Sequence, residues 1–267
     1  MSLKTTVIAN TLVQFFGRFA SSILGFITTV ILARSLGVED YGSYAKIYAL
    51  ATFFYLLVDF GLNAIYIRTE RNNTTRVHTI TSIRTLLFLL CCTIVIIFFA
   101  VSGVHVFSLT EQFLTGIAMT TVLLFGAITT CNMVFQLTHR YDRSVLASVI
   151  GGSLGVGLLL LLPHTVGYAV TAIATGYAIT ALSCYWFAHQ LSPSLSFFPT
   201  IHTMCSPSYR QQLRSLFLAS LPVGLMLFLN TMYSHVDIFI ISAYQGNDAV
   251  AIYQLAYKFF EFPLAFA

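Results

Sequence analysis

Residues 7–33 read VIANTLVQFFGRFASSILGFITTVILA, an apolar run broken by one charge, Arg18. A polar corner follows, Arg34-Ser-Leu-Gly-Val-Glu-Asp-Tyr-Gly42. A second apolar run, Tyr44 to Ile67, carries one acid near its end, Asp59. At about 1.5 Å per residue, each run is long enough to cross the roughly 30 Å hydrocarbon core of a bilayer as a tilted helix. Spanning strands need only about 10 residues and alternate in polarity, so these runs predict helices. The chain therefore opens with a transmembrane hairpin that keeps two charges inside the membrane.

The rest of the composition agrees. Of 267 residues, 57% are hydrophobic and 8% charged, against about 25% charged in soluble domains. Phe and Tyr are abundant, which suits lipid-facing and interfacial helix surfaces. The net charge of +4 is no signal for nucleic acid, because the basic residues sit mostly in short connections. The cysteines (Cys91, Cys92, Cys131, Cys184 and Cys205) form no C-x-x-C pair and read as small membrane hydrophobes without a metal or disulfide role. Lys4 precedes a run too long for a signal-peptide core, so that run is expected to stay as an anchor.

Working outward, eight spans are expected near Val7–Ala33, Tyr44–Ile67, Ile83–Phe107, Phe113–Leu137, Val145–Leu162, Val166–Ala188, Leu216–Ala243 and Val250–Ala267. Their connections alternate in charge. One set holds Lys4, Arg68, Arg71, Arg76, Arg84, Arg140, Arg143, Arg210 and Arg214. The other holds Arg34, Lys46 and Lys258, with Glu39, Asp40, Glu111 and Asp248. Nine basic residues against three mark the first set as cytoplasmic and put the N-terminus inside.

The fifth and sixth spans are rich in glycine, and Gly151-Gly-Ser-Leu-Gly155 fits the small-xxx-small pattern of close helix packing. Pro193, Pro199 and Pro207 interrupt the apolar rhythm. They predict residues 190–213 as a cytoplasmic linker between a six-helix lobe, residues 1–189, and the start of a second lobe, residues 214–267. Beyond the linker the first hairpin returns. At an offset of 209, Tyr44, Tyr48 and Phe53 fall on Tyr253, Tyr257 and Phe262. An even number of helices between the copies makes them parallel repeats, a transporter habit. A complete second copy needs roughly 150 more residues, so the expectation is an N-terminal piece or a natural truncation. The fold class expected is an all-α integral membrane protein of about eight transmembrane helices, one six-helix lobe plus the start of a second repeat.

The corner Ile31-Leu-Ala-Arg-Ser-Leu-Gly-Val-Glu-Asp-Tyr-Gly-Ser-Tyr44, followed by Leu57-Val-Asp-Phe-Gly-Leu62, resembles the first hairpin of the polysaccharide transporter family. These are the Wzx-type O-antigen flippases of the multidrug, oligosaccharidyl-lipid and polysaccharide exporter superfamily. Ser220-Leu-Pro-Val-Gly224, Tyr233-Ser-His-Val-Asp237 and Ala251-Ile-Tyr-Gln-Leu-Ala-Tyr257 look like its seventh and eighth helices. The resemblance runs through the whole chain and spans about two-thirds of a twelve-helix member. It implies two lobes forming a V around a cavity in a bacterial inner membrane. Alternating access there would move an undecaprenyl-diphosphate-linked oligosaccharide between leaflets without cofactor or chemical change. Membrane lipids, an O-antigen polymerase and a chain-length regulator are the partners it implies. A cation-coupled drug exporter of the same superfamily, or an inactive fragment, is the alternative. A membrane-embedded sugar-transfer enzyme is disfavoured because paired carboxylates, a Gly-rich phosphate loop and a Ser/His/Asp set are not evident.

Three residues stand out as site candidates. Arg18, deep in the first span, should face a wet cavity or a partner. Its planar fork suits a diphosphate, and a structural ion pair is the other reading. Asp59 could pair with Arg84, cap a backbone end or couple ions. Asp237, in the seventh span, matches a family acid and could carry protons or sodium or serve structure. His235, two residues away, points elsewhere on the helix, so no shared metal site is expected. Pro222 frees a carbonyl in the same span and could mark a bend. Glu39 and Asp40 read as first-turn acids after a helix stop at Gly37. His78, His139, His189 and His202 read as interfacial.

Overall fold

The computed structural model describes residues 3–69, 77–102, 107–162, 164–192 and 206–264, and among these every regular element is a helix. In chain order they are α1 (Leu3–Ser35), α2 (Val38–Asp59), α3 (Leu62–Thr69), α4 (Val77–Ser102), α5 (Leu109–Leu137), α6 (Tyr141–Leu161), α7 (Val166–Leu191), α8 (Pro207–Gln245) and α9 (Asn247–Leu264). Seven stretches are long and apolar enough to cross a membrane, with α2 and α3 together forming one, Val38–Arg68. The expected eighth span is α9, whose eighteen residues also carry Asp248, Lys258 and Glu261. The protein is an all-α membrane protein.

The helix boundaries follow local chemistry. Gly37 sits between α1 and α2 at φ 80, ψ 174, a region only glycine enters without strain. Glu39 and Asp40 occupy the first turn of α2, where the helix dipole favours acids. Ser108 caps α5 in a full capping box: its hydroxyl accepts from the Glu111 backbone N–H, and the Glu111 carboxylate accepts from the Ser108 N–H. Thr165 caps α7.

Packing is driven by small residues. A Cβ on Gly151 would overlap Thr180 and the Gly176 carbonyl, and one on Gly155 would sit 3.6 Å from the Gly176 Cα. So α6 and α7 meet backbone to backbone, as the small-xxx-small pattern predicts. The core of the first six spans lies between α2, α3, α4, α5 and α7. It holds Ile47, Phe54, Val122 and Val170 in one cluster and Tyr66, Ile80, Met133 and Phe135 in another. Inside it the Tyr55 hydroxyl lies 2.7 Å from the Thr121 hydroxyl.

Three expectations change. Lys46, Arg84 and Lys258 lie within α2, α4 and α9 rather than in connections, so the charge asymmetry rests on fewer loop residues than counted. The second span is not continuous, because α2 stops at Asp59 and restarts at Leu62. Residues 207–213 of the expected linker are the first turns of α8, which continues through Pro222 to Gln245. His78 is half-buried, its ring stacked on Tyr209 at 5.5 Å. Pro193, Pro199, Arg71, Arg76, His202 and Cys205 lie outside the described residues, as do the side chains of Lys4 and Phe262.

Candidate functional site

α1 places Arg18 on a polar stripe. At 3.6 residues per turn, Gln14, Arg18, Ser21, Ser22, Thr28 and Thr29 share a sector of about 120°. Leu12, Phe16, Phe19, Ile23, Ile27 and Val30 fill the opposite side. Gly17 packs on Val145 of α6, and Phe26 meets Phe259 of α9 edge-on at 5.4 Å. The polar sector is the flank between those contacts, and Arg18 is exposed on it. The Thr28 and Thr29 hydroxyls donate to the Leu24 and Gly25 carbonyls at 2.8 and 3.1 Å. The stripe therefore presents polar surface while its threonine hydroxyl protons stay bonded within the helix.

Asp59 sits where α2 breaks. Phe60 adopts a left-handed conformation, φ 48, and Gly61 follows at φ 65. The carboxylate at this helix end opposes the helix dipole, and Arg84 from α4 compensates it. Arg84 Nη2 donates to Asp59 Oδ1 at 2.9 Å and to Asn63 Oδ1 at 3.1 Å, and Nη1 donates to Thr130 Oγ1 at 2.5 Å. The Arg84 side chain is 3% exposed and that of Asp59 24%. The Phe60 ring stacks parallel on Phe217 of α8 at 5.3 Å and covers Gly224, where a Cβ would overlap it. Thus the break is held by an ion pair on one side and by α8 on the other, which explains why a phenylalanine keeps a strained backbone.

Asp237 is half-buried in α8. One carboxylate oxygen accepts from the Ile238 N–H at 2.9 Å, and the other accepts a short hydrogen bond from the Tyr253 hydroxyl of α9. Asn230 and Ser234 precede Asp237 on the same side of α8. At the repeat offset of 209 they correspond to Ser21, Gly25 and Thr28 of the α1 stripe. Lys258 is exposed about 16 Å into α9, next to the Phe259 that touches α1. The three candidate residues are not brought into one cluster: Arg18, Asp59 and Asp237 belong to separate sets of contacts.

A buried polar network joins α2 and α5 to the first residue of α9. Lys46 Nζ lies 2.8 Å from Glu111 Oε1 and donates to Asn247 Oδ1 at 3.0 Å. Asn247 Nδ2 donates to Ser43 Oγ at 2.8 Å and to Glu111 Oε1 at 3.3 Å. Lys46 also sits over the Phe107 ring at 4.8 Å.

The model of a family described as polysaccharide biosynthesis protein matches residues 7–267. The chain belongs to the polysaccharide biosynthesis protein family. No curated protein and no solved structure matches it. In this family member, sequence reasoning singled out Arg18 but missed the stripe around it, which the helical spacing of Gln14, Ser21, Ser22, Thr28 and Thr29 displays. It also missed the Lys46 network. The Ser108-Leu-Thr-Glu111 capping-box pattern was a usable signal that Glu111 lies in a helix first turn, though not that Lys46 and Asn247 converge on it.

Proposed function

We propose that the protein translocates a lipid-linked oligosaccharide of the O-antigen type across the bacterial inner membrane by alternating access, with its N-terminus cytoplasmic. The observation that carries this reading is the polar stripe on α1, which holds an exposed guanidinium within a membrane-spanning helix. A charge there is costly unless it meets water or a ligand. Membership of a polysaccharide biosynthesis family supports a saccharide-bearing substrate. In this reading Arg18 takes the diphosphate, because a guanidinium fork matches phosphate oxygens. Lys258 offers a second cation on the neighbouring helix. Asp237 is the residue proposed for cation coupling, since Tyr253 holds its carboxylate within the membrane. Asp59, neutralised by Arg84, serves structure.

Expression in a bacterium deleted for its own O-antigen flippase tests the reading. Polymerised O-antigen at the cell surface is the expected result. Its absence, with the protein stably inserted and the host's sugar matched to that of the native strain, counts against the assignment.

A further inference from the structure

We infer that Asn247 is a latch between the two repeats, and that Lys46 and Glu111 form its socket. Lys46 is 2% exposed and Glu111 7%. Both belong to the first repeat, on α2 and α5. Asn247 is the first residue of α9 and belongs to the second. Its amide is fully used across the boundary. The oxygen accepts from Lys46, and the nitrogen donates to Ser43 and Glu111. Glu111 divides its carboxylate: Oε2 caps its own helix through the Ser108 N–H, and Oε1 faces Lys46 and Asn247.

The backbones close in around this contact. A Cβ on Gly42 would overlap the Asn247 carbonyl, so only glycine there lets α2 lie flat on the α8–α9 corner. Ala45, Ala49, Val250 and Ala251 are all buried beside it. The socket survives separation of the repeats, because Lys46 and Glu111 remain paired within the first one. What is lost is Asn247, together with its hydrogen bonds to two charged groups, which are stronger than neutral ones. The device is therefore a switch with two satisfied states, one closed over Asn247 and one open to water. Among the described residues it occurs once. At the repeat offset of 209, Asn247 corresponds to Val38, which is exposed and has no amide to offer.

Closure predicts that Val250, fully buried under the latch, is shielded from solvent until the repeats part. The test uses the full chain with its five cysteines replaced, purified in detergent and reacted with a bulky hydrophilic maleimide. A cysteine at Val250 is the reporter, and one at exposed Glu39, on the first corner, is the reference. Only variants eluting as a single sharp peak are scored. Val250→Cys should label far more slowly than Glu39→Cys. Adding Asn247→Ala should speed labelling at 250 by about tenfold or more, the population change that loss of one charge-assisted hydrogen bond produces, with no change at 39. The double variant K46Q/E111Q, which keeps polar contacts but removes charge, should accelerate it less. Fast labelling at 250 in the parent, or a rate unmoved by Asn247→Ala, overturns the latch. Labelling needs no substrate, so the outcome stands apart from that of the flippase assay.

Discussion

Gly37 and Gly246, 209 residues apart, share one backbone conformation: φ 80, ψ 174 at the first corner and φ 81, ψ −175 at the second. Each ends a long helix and starts the next without an intervening loop. The same unusual dihedral pair at matching positions is strong support for two copies of one hairpin. Because that region is open to glycine almost exclusively, Gly37→Ala and Gly246→Ala should each destabilise by about 1–3 kcal/mol. Thermal unfolding in detergent should show similar losses for both. A neutral effect at one corner would mean that its conformation is not required.

Arg84→Met should cost about 3 kcal/mol, the low end of the range for breaking a buried pair, because Asp59 remains 24% exposed. Adding Asp59→Leu should recover most of the loss, since two apolar side chains leave no uncompensated charge. A double-mutant cycle on unfolding midpoints measures the coupling. Additive losses would show that the pair is not the interaction holding the α2 break.

Gly224→Val should displace the Phe60 ring, which lies where the new side chain would go. Overpacking of this kind costs about 1–3 kcal/mol. Removal of the ring in Phe60→Ala should relieve the clash, so the double variant should lose less than the sum of the singles. Strict additivity would place the strain elsewhere.

Arg18→Ala should reduce surface O-antigen about tenfold or more at matched expression, as expected for loss of a charge-assisted phosphate contact. Arg34→Ala, in the exposed corner, should leave it near normal. Equal effects would remove the case for a substrate contact at Arg18.

The helices and corners were legible because their causes are local. An apolar run long enough for a bilayer and a glycine beside first-turn acids can be read without knowing the fold, and Gly37 with Glu39 and Asp40 illustrates it. The pairing of Asp59 with Arg84 was within reach, because a charge inside a span needs a partner and few are available. Lys46 was misplaced because a count of charges along the chain records order and not depth, and its partners Glu111 and Asn247 leave no trace near residue 46. The break at Phe60 was invisible for a related reason. Its left-handed backbone is held by Phe217 and Gly224 of the distant α8, while the letters around it continue an apolar run. The stripe on α1 was present in the letters and went unread, because a largely apolar helix invites attention to its single charge.

α8 has 39 residues, which makes it about 58 Å long, nearly twice the thickness of the hydrocarbon layer. Much of it must stand outside the lipid or cross at a steep tilt. Its first turn carries Tyr209, which donates to the Ser82 hydroxyl of α4 at 2.7 Å, while its last turn leads into the Asn247 corner. A single rod thus ties the buried Tyr209 contact at one end of the molecule to the interlocked corner at the other. Breaking the Tyr209–Ser82 bond would therefore act on the Asn247 corner through a lever arm about 58 Å long.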